Sequence, residues 1–285
     1  MSASARTLDP VTSDDLSQSA ATPPRRHPHR LRNLTVVGVV VALTLATGVY
    51  VVWDRFLRNN ETPVDVAAVE DDFSGRGEGS AEAGTPKAGV YLYRTTGSES
   101  VSALGGTSAD YPATTTLTVT ESTCGVDTRR DVLEGRYDES KLCRQANGTW
   151  VLTETVTSDR FFNQTEADTY TCPDVVNLPA DPKPNQSWKG TCTDAPNTTT
   201  MRYRVIGTET VRVDGEPVST VRLRVTSTEG GERAGGGVEH RWVQPGTNLV
   251  VKARSAERDT SPSPIGRVTY QQQYEIALKS LDPKR

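Results

Sequence analysis

In a series of runs between Val90 and Leu278 the apolar residues of this chain recur at every second position, a period that suits strands and not a bundle of amphipathic helices. The sharpest instance is Val221-Arg222-Leu223-Arg224-Val225-Thr226, where valine and leucine share one face and the arginines the other. A half-buried antiparallel sheet demands that alternation. Similar runs cover 90–94, 115–120, 150–157, 202–206, 209–213, 238–243, 249–254 and 268–278, and Asp214-Gly215 supplies a hairpin turn signal. In the last run Tyr270, Gln272, Tyr274, Ile276 and Leu278 fall on one face, so that face is mixed and not purely apolar. The stretch 127–142 could hold a helical turn or two. The expected architecture is mainly β: an antiparallel, curved sheet or half-barrel of roughly nine strands over residues 89–282.

A second feature splits the chain. Leu34 to Trp53 is a run of twenty uncharged residues. As a helix it would extend roughly 30 Å, the thickness of a bilayer's hydrocarbon core. Tyr50 and Trp53 lie at its end, where amphipathic rings favour the interface. The run is too long for a cleavable signal core, and no small-residue cleavage site follows it. Arg25, Arg26, Arg30 and Arg32 precede it, which places the N-terminus on the cytoplasmic side of the cell membrane and the remainder outside. The reading is a signal anchor of one transmembrane helix at 34–53. It follows a disordered cytoplasmic tail at 1–33 and precedes a flexible linker at 54–88 and an extracytoplasmic β domain at 89–282.

The four cysteines agree with that compartment. Cys124, Cys143, Cys172 and Cys192 all follow the apolar run, and the closest two are 19 apart, unlike the tight pairs of zinc sites. They are expected in disulfide bonds, which persist outside the cytoplasm. Three pairings are open. Sequential pairing would close two loops of about 20 residues, each contributing roughly 3 kcal/mol in the chain-entropy picture.

Beyond residue 33 the chain has 27 basic and 33 acidic residues, which excludes a nucleic-acid partner. No catalytic, cofactor-binding or metal-binding residues are nominated. His240 is the one histidine after the apolar run, and in a strand Glu239 and Arg241 point away from it, so no triad forms locally. Gly235-Gly236-Gly237 lacks the lysine of a phosphate cradle and reads as a flexible loop. Asp127, Asp131, Glu134, Asp138 and Glu139 do not match a calcium loop and read as solvated. Arg202, Arg204, Arg212, Arg222 and Arg224 line one face, balanced by Glu209, Glu216 and Glu229.

Two elements carry a family resemblance. Val205-Ile206-Gly207-Thr208-Glu209-Thr210-Val211-Arg212-Val213 leads to a glycine turn and a paired strand. Trp242 is followed by Pro245-Gly246-Thr247-Asn248-Leu249-Val250-Val251-Lys252, and a last strand ends at Pro283. This half resembles the half-barrel lipoprotein-carrier-like periplasmic β proteins, and the whole chain resembles membrane-anchored envelope proteins of actinobacteria. It differs from the carriers in having no cysteine near the apolar run. The resemblance implies a non-enzymatic domain that binds a lipid, small hydrophobic ligand or envelope protein. The competing expectation is a structural or interaction protein of the envelope with no ligand pocket.

Overall fold

The computed structural model describes residues 62–74, 84–102, 106–161, 164–263 and 266–284. The tail at 1–33 and the apolar run at 34–53 lie outside the described residues. Among the described residues no helix is long and apolar enough to cross a membrane.

Asp214 and Gly215 both take positive φ, 50° and 82°, as a two-residue hairpin turn requires. They join β9 (Asn197–Val213) to β10 (Glu216–Gly230), and the whole chain repeats this meander. The other strands are β1 (Gly89–Val101), β2 (Thr107–Asp110), β3 (Thr114–Ser122), β4 (Gly125–Leu133), β5 (Arg136–Arg144) and β6 (Trp150–Phe161). They continue with β7 (Gln164–Leu178), β8 (Ser187–Asp194), β11 (Ala234–Val243), β12 (Val250–Ser263) and β13 (Gly266–Leu278). Every neighbour is antiparallel, and β13 returns to pair with β1 from Tyr93↔Leu278 to Val101↔Tyr270. The sheet is closed.

Strands β2 and β3 lie along the same edge of β1 in one register, Ser98↔Asp110 and Arg94↔Thr114. Pro112, which has no N–H to donate, falls in the gap between them. The Tyr111 and Thr95 amides bond across that gap to Gly97 and Ala113 carbonyls. The barrel wall is therefore twelve strands, with β2 as the severed tip of β3. An even number lets an up-and-down meander close antiparallel.

These findings correct several expectations. The sheet is a closed barrel, not a half-barrel of nine strands. Residues 127–142 form the hairpin β4–β5, and 202–213 is one continuous strand. Gly235–Gly237 belong to β11 and are not a flexible loop. Helix α1 (Val66–Ser74) lies within the stretch expected to be an extended linker. Asp65 caps it, its Oδ1 accepting from the Ala67 and Ala68 amides at 3.0 and 3.2 Å. Phe73 is buried where α1 meets β1 and β3, and Lys284 bonds Glu70 at 2.9 Å. The preceding segment is tied to the barrel by Pro63↔Leu133 and by the Glu134 amide to the Thr62 carbonyl.

The wall has one thin seam. Between β7 and β8 a single pair is in register, Thr171↔Thr193. Pro173 and Asp174, the latter at φ 54°, bulge out of β7 just there. Side chains span the seam: the Cys172–Cys192 disulfide and a Trp188 Nε1 donation to the Val176 carbonyl at 2.7 Å. Val175 also packs so closely on Gly190 that a Cβ there would stand 2.4 Å from it.

Candidate functional site: the barrel lumen

Alternation along each strand sends one set of side chains into the barrel, and that set changes character from end to end. At the end where β1 and β12 begin, the interior is packed with Tyr93, Trp150, Leu178, Val221, Val243, Val251 and Leu278. Trp150, fully buried, donates Nε1 to the Gly246 carbonyl at 2.8 Å. Towards the other end the inward positions of the same strands become charged.

Between the two lies a cavity of about 320 Å³. Its lining includes Leu117, Val119, Val126, Leu142, Leu152 and Ile276 as apolar wall, and Arg130, Asp138, Glu229, Glu239, Arg241 and Glu257 as charged wall. The cavity is amphipathic along the barrel axis.

Both of its arginines are neutralised in place. Arg130 donates to Asp138 at 2.6 Å and to the Tyr274 hydroxyl at 2.8 Å, and its guanidinium lies 4.7 Å from that ring's centroid. Arg241 donates to Glu239 at 2.6 Å. Beyond the cavity Arg136 bridges Asp138 at 3.1 Å and Glu99 at 3.6 Å, while Tyr111 and Tyr270 donate to Glu99 at 2.9 and 2.8 Å. Burial works against the Asp138 charge, but Arg136 and Arg130 outweigh it and hold the carboxyl down at about 2. Burial and the nearby Asp259 push Glu257 the other way, up to about 8. A line of charges thus crosses the lumen with fixed partners, which gives the interior a rigid polar pattern.

The residues singled out from sequence fall elsewhere. The cysteines pair sequentially, Cys124–Cys143 and Cys172–Cys192. Among the five acids of the first cysteine loop, Asp138 alone lines the cavity; Asp127, Asp131 and Glu139 lie on the opposite strand face beside α1, and Glu134 is in a turn. His240 also faces outward, where burial and then Arg222, Arg224 and Arg254 lower its pKa. Arg202, Arg204, Arg212 and Arg224 are exposed, and Arg222 pairs with Glu209 at 3.0 Å. Glu229, expected to balance them, points into the lumen instead. Sequence reasoning missed Glu99, Arg130, Glu239, Arg241 and Glu257 as a set; the mixed face of 270–278 was the one visible signal of it. Comparison with protein-family models, with curated proteins and with solved structures yields no match to this chain.

Proposed function

We propose that this chain is a non-enzymatic binding protein of the cell envelope, holding one small amphipathic or hydrophobic ligand in the lumen of its barrel. The carrying observation is the cavity itself, about 320 Å³ with an apolar wall at one end and fixed charges at the other. That volume suits a single small molecule and falls at the low end of ligand pockets. It is too small for a large two-chain lipid to enter whole, so lipid-like cargo would be a fragment or a single chain.

The outer surface supports an aqueous setting for the barrel. Among the described residues Ile206 is the one large apolar side chain that is exposed, whereas a membrane-embedded barrel carries a continuous apolar band. The anchor reading of 34–53 complements this. Eight residues separate Trp53 from Thr62, the first described residue, so the implied tether is short. The two disulfides accord with an extracytoplasmic location.

Native mass spectrometry of the full chain, purified from membranes in detergent with its disulfides intact, tests the proposal. A retained small-molecule mass supports it. A uniformly ligand-free protein that also takes up no added single-chain amphiphile would favour the structural reading.

A further inference from the structure

At the charged end of the lumen Glu229, Glu257 and Asp259 each present a carboxylate oxygen, and the three lie within 4.8 Å of one another. They come from β10 and β12, brought together by the ladder Glu229↔Gly235↔Asp259 across β11, where a Cβ on Gly235 would stand 2.7 Å from the Asp259 Oδ1. The cavity's other acids each contact a guanidinium. These three are held differently: Glu257 accepts from the Gln272 amide at 2.5 Å and Glu229 from the Thr199 hydroxyl at 2.9 Å, while Asp259 accepts from the Gly236 backbone. The Oδ1 of Asp259 is buried with no hydrogen-bond partner.

An independent observation falls beside them. Tyr170, on the inward face of β7, is 4% exposed, and its hydroxyl is buried without a hydrogen-bond partner. The charges that act on that hydroxyl are Arg233, Glu229, Asp168 and Asp194. A buried phenol beside carboxylates would ordinarily donate to one of them. Left unpaired on the lumen side of β7, its oxygen is a neutral donor close enough to Glu229 to feel that carboxylate's charge.

We propose that Glu229, Glu257 and Asp259 form a site for one hard divalent cation of the calcium type, with the Tyr170 hydroxyl oxygen as a further neutral donor. Calcium takes oxygen ligands at roughly 2.3–2.6 Å in flexible geometry, so two oxygens on opposite sides of one ion stand about 5 Å apart. Three carboxylate oxygens within 4.8 Å of each other therefore fit around a single ion. Arg233, whose charge acts on Glu229 and Asp259, is engaged by Asp168.

Calorimetric titration of the full chain with calcium chloride reads stoichiometry and affinity directly. The expected result is saturable binding at one site. The double variant Glu257→Gln, Asp259→Asn should weaken binding by at least about tenfold. Terbium luminescence provides a second readout: an ion beside Tyr170 should be sensitised by it, and Tyr170→Phe should reduce the emission while leaving the melting temperature in chelator unchanged. Absence of calcium heat at millimolar concentration, or binding equal in wild type and the double variant, would overturn the site.

Discussion

Cys172 and Cys192 are joined immediately beside Thr171↔Thr193, the single registered pair between β7 and β8. Cys124 and Cys143, by contrast, brace strands β4 and β5, which already share eight registered pairs. The two loops have nearly equal lengths, 20 and 19 residues, so chain entropy alone assigns them about the same roughly 3 kcal/mol. The folded structure distinguishes them.

The double variant Cys172→Ser, Cys192→Ser should therefore lose more stability in urea than Cys124→Ser, Cys143→Ser. Hydrogen exchange should show faster exchange localised in β7 and β8 for the first variant, with β4 and β5 keeping their protection in the second. Equal losses without local opening would mean that the seam does not depend on its staple.

At the same seam, Gly190→Ala places a methyl against Val175 where the gap is 2.4 Å. Overpacking of this kind costs about 1–3 kcal/mol. Adding Val175→Ala should recover much of that loss, so a double-mutant cycle in urea should show favourable coupling between the two positions.

Asp138 and Glu275 give a contrast between lumen and surface. Asp138→Ala leaves Arg130 and Arg136 facing each other inside the barrel, a loss of about 3–5 kcal/mol for a broken buried pair. Glu275→Ala removes the outward partner of Lys252 and Arg254, a partly exposed surface pairing worth about 0–1 kcal/mol. Denaturation midpoints of the two variants should separate accordingly.

Glu257 sets the pH dependence. Its folded pKa, about 8, exceeds the ordinary 4.5, so the native state binds more protons than the unfolded chain between those values. Stability from this group is complete below the lower value and is lost as pH rises towards about 8, by up to ~1.4 kcal/mol per unit. Asp138 acts oppositely and elsewhere: lowered to about 2, it stabilises above its ordinary 3.8 and loses that contribution on acidification. Urea midpoints measured without divalent cations should fall from mildly acidic to mildly alkaline pH, and Glu257→Gln should flatten that decline.

The strands easiest to read in the sequence are those whose inward face is apolar, such as β10, with Leu223 and Val225 inside and Arg222 and Arg224 outside. Strand β4 escaped because Thr128 and Arg130 face inward while Asp127 and Arg129 face outward; with both faces polar, the period-two contrast vanishes. Strands β7 and β8 escaped because Pro173 and Gly190 interrupt them at the seam. The helix escaped because its short apolar stripe rests on a small patch of barrel, with Phe73 as its one buried side chain. The lumen was illegible for a related reason. Its charged residues come from strands far apart in sequence, and register around a closed wall brings Glu99, Asp138, Glu239 and Glu257 together.

A ligand held in the lumen should be displaced by filling the lumen from within. Ser255 lines the cavity between Glu239 and Tyr274, so Ser255→Phe would fill the space without touching the outer face. A fluorescent single-chain amphiphile titrated into the full chain should bind wild type saturably at one site. The variant should bind it at least about tenfold more weakly while keeping the wild-type circular dichroism spectrum. Equal binding to both proteins, or to neither, would contradict a ligand in the barrel.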